Sequence, residues 1–235
     1  MRFDSLASSS HGNAYIVSDK DTRILLECGV SWKKLREFSC DCGFSLSGFQ
    51  GCIVSHEHKD HSKCVNDIVA IGIPVYMSDG TAEKLDVAGV QTISHGEPFT
   101  IGTIDVMPFT TWHDAKEPLG FRFKSQIDGE VLVFATDTVN LAYRFPGVTI
   151  LAIEANYDKE ILARCERMPE KVRHRITNSH MEIDVLCNYL RSLDLSSCRE
   201  IYLLHLSDAT SHEGHFVNKV FRAVPRHIKV TACAR

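Results

Sequence analysis

Apolar and polar residues alternate through the first thirty positions, and polar turns break the alternation. "RFDSLA", "NAYIVSD" and "TRILLECG" read as three short strands, with "SSSHGN" as one of the turns between them. The pattern then changes to helical spacing in "SWKKLREF", where Ser31 fits the cap position. "GCIVS" is a short buried strand. "SKCVNDIVAIG" carries Cys64, Ile68 and Ile71 on one stripe and predicts a single helix. "PVYMS" reads as a strand and "TAEKLDVAG" as a short helix stopping at Gly89. A second strand group follows in "TIDVMPFTTWH", "LGFRFKSQ" and "EVLVFATDT", with a turn at Asp128-Gly129. "VTILAIEAN" is another buried strand, and "YDKEILARCERM" is a helix.

In "SHMEIDVLCNYLRSL" Ser179 stands three residues before Glu182, which predicts a capping box opening a helix. "REIYLLHLS" is a strand, "SHEGHFVNKVFRAV" a helix and "HIKVTACA" a closing strand. Strand groups thus alternate with helices, and two sheets packed face to face with helices outside would bury them. The length, 235 residues, suits one domain spanning 1–235.

Composition narrows the function. The net charge of −4 excludes a uniformly basic nucleic-acid glove, so any grip on a polyanion has to be local. Twelve histidines favour metal or acid–base chemistry. The nine cysteines are scattered with no CxxC pair, which argues against a zinc knuckle and for small core residues in a reducing compartment. "MRFDSLASSS" has no apolar signal region and no apolar run is long enough to span a bilayer, so the expectation is a cytoplasmic protein without membrane attachment. Oligomeric state is not legible.

The chemistry concentrates in "SHEHKDH", residues 55–61, directly after the strand "GCIV". His56 and His58 alternate, so in extended chain they point the same way. Asp60 and His61 follow at the turn into a helix. His113, Asp137 and His205 each end a separate strand, where loops build sites on a rigid scaffold. Together these residues complete two metal positions. One takes His56, His58 and His113, the other takes Asp60, His61 and His205, and Asp137 bridges them. Imidazole with carboxylate suits zinc first, with manganese or iron as alternatives. A pair of such ions activates water toward an electrophile.

"HEHKDH" followed in order by His113, Asp137 and His205 resembles the metallo-β-lactamase superfamily. The resemblance implies an α+β fold, a four-layer αββα sandwich with a dimetal site along one edge. "SLASSSHGN", "TWHDAKEPLGFRF", "FATDT", "EAN" and "LLHLS" resemble the branch that holds the WalJ (YycJ) nucleases and PhnP phosphodiesterases. "IEAN" and "SHMEIDVLCNYL" are similar to segments of ribonuclease Z. That likeness implies that His180 assists the leaving group and that Glu154 orients it. The long arm of ribonuclease Z has no counterpart, which points away from tRNA.

The expected reaction is phosphodiester hydrolysis by hydroxide held between two metals, as in an exonuclease or phosphodiesterase. Asp60 takes the proton from water and His180 donates to the leaving oxygen. A nucleic acid or nucleotide is the expected partner. Arg164, Arg167, Lys171, Arg173 and Arg175 precede His180 and could grip phosphate, or form only a solvated face. The rival is a carbonyl hydrolase on the same ligands: a β-lactamase, thioesterase or lactonase. A residue competent to bind metal fills every ligand position, which disfavours a non-catalytic metal- or nucleic-acid-binding module.

Overall fold

The alternation at the start of the chain becomes a sheet. In the computed structural model, which describes residues 1–166 and 168–233, the chain divides into two units. The first comprises Met1–Thr110 and Ala115–Gly129, the second Thr111–Asp114 and Glu130–Cys233.

In the first unit, β1 (Arg2–Ser9), β2 (Gly12–Ser18) and β3 (Arg23–Leu26) pair antiparallel. β4 (Gly51–Ile53), β5 (Val75–Met77) and β6 (Gln91–Thr92) continue the sheet in parallel, in the order β1 to β6. β7 (Phe99–Ile101), β8 (Ile104–Thr110) and β9 (Leu119–Ser125) form an antiparallel meander. The helices of this unit are α1 (Trp32–Asp41), α2 (Lys59–Ser62), α3 (Val65–Ala70) and α4 (Asp79–Leu85), and Leu35 of α1 and Ile68 of α3 join Leu25, Cys52, Val54 and Met77 in one buried cluster against the sheet. Each fully buried aliphatic side chain of this kind contributes about 1.5–3 kcal/mol. Ser31 caps α1 by accepting from the Lys34 N–H at 3.2 Å, as its sequence predicts.

The expected helix over "SKCVNDIVAIG" is instead broken. α2 ends at Ser62 and α3 begins at Val65. Cys64 and Ile68 are buried, but Ile71 lies past the helix and is 45% exposed. Cys64 leaves the helical path because its N–H and thiol both donate to the Cys28 carbonyl.

The second unit is a parallel array. β10 (Val131–Ala135), β11 (Ile150–Glu154), β12 (Glu200–Leu204) and β13 (Lys229–Ala232) lie side by side in chain order. The near-continuous apolar runs "VLVFA" and "ILAI" fit strands covered on both faces. Four helices connect them: α5 (Lys159–Arg164), α6 (Glu170–Ser179), α7 (Ile183–Arg191) and α8 (Glu213–Phe221). In α7, Ile183, Leu186, Cys187 and Leu190 recur at helical spacing and are all buried.

The capping box expected at Ser179 does not form. Ser179 is the last residue of α6, a helix the sequence pattern did not separate, and its hydroxyl donates back to the Arg175 carbonyl at 2.7 Å. Glu182 itself caps α7 by accepting from the N–H groups of Asp184 and Val185 at 2.7 and 3.1 Å. His180 therefore sits in the short link between two helices, not at the start of one. Of the nine cysteines, all free, only Cys40 and Cys42 are exposed.

Candidate functional site

In the first unit the parallel strands β3 and β4 pair Leu26 with Ile53, so the segments that leave them run side by side. Glu27 follows β3 and the histidine cluster follows β4. The two exits are stitched by Glu27 N–H to Ile53 carbonyl and Cys28 N–H to His61 carbonyl, each 2.9 Å. His56 Nδ1 meets the Ser55 hydroxyl at 2.9 Å, and its Nε2 faces His58 Nδ1 at 3.0 Å. His61 Nε2 lies 3.3 Å from Asp60 Oδ2, and His61 Nδ1 lies 3.6 Å from the buried Glu27 carboxylate. The rings of His56 and His61 are 4.2 Å apart.

The second unit gathers its donors by the same geometry. β10, β11 and β12 are adjacent and parallel, so their C-terminal ends share one edge. Asp137, Glu154 and His205 stand there. Asp137 and His205 both hold left-handed backbone, with φ of 47° and 53°. Non-glycine residues pay for that conformation, and it recurs at functional sites. His205 Nδ1 lies 3.0 Å from Asp137 Oδ1 and 3.2 Å from Glu154 Oε1. His180 Nδ1 lies 2.7 Å from Glu154 Oε1. One donor atom from each of Asp137, Glu154, His180 and His205 falls within 4.8 Å of the others. His113 joins through Asp137 Oδ2 at 3.5 Å, and the His113, His180 and His205 rings follow one another at 5.2 and 5.3 Å.

Residues 22–206 match the Beta-lactamase superfamily domain. The chain belongs to this family. Exodeoxyribonuclease YycJ of Bacillus anthracis is 29% identical over 224 residues, which cover 88% of this chain and 83% of that protein. Exodeoxyribonuclease WalJ of Streptococcus pneumoniae serotype 2 is 28% identical over 226 residues, covering 88% and 81%. The metallo-β-lactamase fold protein YhfI of Bacillus subtilis superposes with a TM-score of 0.77 at 15% identity, over 99% of this chain and 96% of YhfI. The fold is thus the α+β metallo-β-lactamase fold expected from the sequence, two mixed sheets flanked by helices. The chain is a superfamily hydrolase, and the superfamily fold implies divalent metal ions.

The side chains fit that chemistry. His113 Nδ1 faces the Ser179 carbonyl at 2.8 Å, and a carbonyl only accepts, so Nδ1 carries the proton. The lone pair on Nε2 then points among carboxylate oxygens of Asp114 and Asp137, at 3.2 and 3.5 Å. Burial lowers the His113 pKa, with help from nearby His180, and outweighs the Asp137 carboxylate, which raises it. A divalent cation would be attracted to Nε2 and to those carboxylate oxygens together. A backbone carbonyl holding the far nitrogen of a metal-binding histidine is the usual supporting contact.

His180 behaves oppositely. Burial alone would lower its pKa, but the Glu154 carboxylate outweighs that and raises it. Glu154 in turn is held below the usual carboxylate range: desolvation opposes ionisation, and His180 overcomes it. Glu154 also accepts from the N–H groups of Thr138 at 2.9 Å and Met181 at 3.1 Å. The pair therefore favours the protonated ring of His180 and holds it at Nδ1.

The basic run divides. Arg173 is taken up by the carbonyls of Ala163, Cys165 and Met168. Arg175 pairs with Asp114 at 2.9 Å, and Arg164 with Glu160 at 3.7 Å. Lys171 is exposed, and Arg167 lies outside the described residues.

Three residues at the site had no assigned role in the sequence. Glu27 has zero exposure and accepts from the Ser55 N–H with both oxygens at 3.3 Å. Its signal was a lone carboxylate ending the apolar strand "RILLE". Asn13 donates to the Asp60 carbonyl at 3.1 Å and meets His61 Nε2 at 3.2 Å, which gives the "SSSHGN" turn its work. Asn156 donates to the His205 carbonyl at 2.8 Å. Among the described residues no helix is long and apolar enough to cross a membrane.

Proposed function

We propose that this superfamily hydrolase is a phosphodiesterase acting on nucleic acid, with DNA exonuclease action as its natural form. The observation that carries the reading is the His180–Glu154 pair at 2.7 Å. An alkoxide leaving from phosphorus needs a proton, and a histidine held charged by a buried carboxylate supplies one. The likeness to two proteins named exodeoxyribonucleases supports the same substrate class.

The ligand set is taken from the family resemblance. His56, His58, Asp60 and His61 are the donors of the first unit, and His113, Asp137 and His205 those of the second. Two divalent ions, zinc first, supply when bound the positive charge that polarises a phosphodiester and activates water. Asp60 accepts the proton from the attacking water. His180 gives its Nε2 proton to the leaving oxygen, and Glu154 holds the ring while the charge changes. Exposed basic residues such as Lys171 and Arg175 assist the approach of a polyanion. The cytoplasm suits such a substrate.

The test is hydrolysis of bis(p-nitrophenyl) phosphate and of nitrocefin with zinc and with manganese. Wild type should turn over the diester, and His180→Ala should lose about 100-fold or more. Strong nitrocefin hydrolysis indifferent to His180, beside a dead diester assay, would make this a carbonyl hydrolase instead.

A further inference from the structure

We propose that Trp112 is a stacking platform for an unpaired base of a single-stranded nucleic acid, beside the phosphodiester to be cleaved. This rests on the phosphodiesterase reading above and adds to it that the substrate strand is single.

Trp112 is 55% exposed, the most exposed large hydrophobic side chain among the described residues. An indole in water forfeits apolar burial, and a lone exposed aromatic is ordinary where its place is arbitrary. Here the place is fixed. Trp112 immediately precedes His113, so the two Cα atoms are about 3.8 Å apart. Its backbone is held at both ends. The N–H donates to Thr138 Oγ1 at 3.0 Å, and the carbonyl accepts from the Val139 N–H at 3.2 Å. Thr138 is itself tied by its N–H to Glu154 at 2.9 Å and by its hydroxyl to the Asn140 carbonyl at 2.8 Å. The indole is thus carried by a clamped backbone next to a candidate ligand, and only its two side-chain torsions remain to be ordered when something covers it.

The surroundings choose the occupant. Two residues on, Asp114 pairs at 2.9 Å with the exposed Arg175, a cation that a substrate's backbone could meet. A flat apolar face with a cation nearby suits a nucleotide chain, whose bases stack and whose phosphates are negative. In a duplex the base faces are already stacked on their neighbours, so the platform selects single strands and is indifferent to base identity.

The experiment uses the full chain in EDTA, so that nothing is cleaved. Labelled octathymidylate and an abasic strand of equal length are titrated by anisotropy against wild type, Trp112→Ala and Trp112→Phe. Circular dichroism melts check the folding of each variant. Intrinsic fluorescence of Trp32→Phe reports Trp112 alone. The expected result is base-dependent quenching, with Trp112→Ala binding octathymidylate about 5- to 100-fold more weakly and Trp112→Phe recovering part of the loss. The abasic strand should not distinguish the three. Equal affinities of wild type and Trp112→Ala, beside intact diester hydrolysis with zinc, would overturn the platform and leave the phosphodiesterase reading standing. No binding of either strand together with no diester turnover would overturn both.

Discussion

An ideal Cβ built on Gly29 would lie 1.6 Å from the Asp60 carbonyl oxygen and 2.6 Å from the His61 nitrogen. Those are backbone atoms, which cannot swing aside as the end of a side chain can. The absence of a side chain at Gly29 is what lets the β3 exit touch the Asp60–His61 segment. Gly29→Ala should therefore fold with Asp60 and His61 displaced, at a cost of about 1–3 kcal/mol. Urea melts and zinc titration measure the two consequences, and an unchanged midpoint with unchanged zinc affinity would refute the argument. Glu154 makes a second case. Glu154→Gln removes the charge that keeps His180 protonated while preserving size. The pH profile of diester turnover should lose its alkaline limb to a lower pH, since the raised His180 pKa falls back toward its ordinary value. The candidate ligands were legible because a dense cluster of histidines and an aspartate follows one apolar run, and His113, Asp137 and His205 end separate strands in the order that the resemblance implies. Glu27, Asn13 and Asn156 were not, because each acts on a partner brought near only by the fold: Asn13 and Asp60 stand 47 positions apart.

Most strands could be read, either from alternation, where a one-residue slip would turn the buried face to water, or from short apolar runs covered on both faces. Helix boundaries near His180 could not. Ser179 and Glu182 have the spacing of a capping box, yet the hydroxyl bonds within α6 and the carboxylate alone caps α7. Spacing records that two residues could meet, not which helix owns them. The two assignments separate by mutation. Glu182→Ala should cost about 0.5–2 kcal/mol by uncapping α7, whereas Ser179→Ala should cost less than half of that. Urea denaturation of the two variants decides. A larger loss at Ser179 would restore the capping box. The break between α2 and α3 has a similar origin. Cys64 follows the carbonyl of Cys28, a partner 36 positions away that no local pattern reveals.

At the scale of the whole molecule, the motif order gave the family and its fold, while the division into two units has no marker in the sequence: residues 111–114 belong with the second unit although the chain around them belongs with the first. Such assignment depends on contacts between distant segments, and Asp19 shows what those contacts do inside the first unit. It accepts from Thr22 N–H at 2.8 Å and Asp21 N–H at 3.0 Å, from the Thr103 hydroxyl at 2.9 and 2.8 Å, and from the Ser125 hydroxyl at 2.9 Å. One carboxylate thereby joins the β2–β3 turn, the β7–β8 turn and the end of β9. Partial burial raises its pKa, but these donors outweigh that and hold it below the ordinary value of 3.8. A depressed folded-state pKa means that the unfolded chain takes up the proton first. The stabilisation is complete at pH values above the unfolded value near 3.8, and it is lost as pH falls through the lower folded value. Wild type should therefore show a steep acid limb below about pH 4 in its urea midpoint. Asp19→Asn keeps an acceptor for some of the donors but cannot titrate, so it should be less stable at pH 7 and lose less between pH 5 and pH 3. Parallel acid limbs for the two proteins would show that Asp19 is not the group whose protonation loosens the first unit.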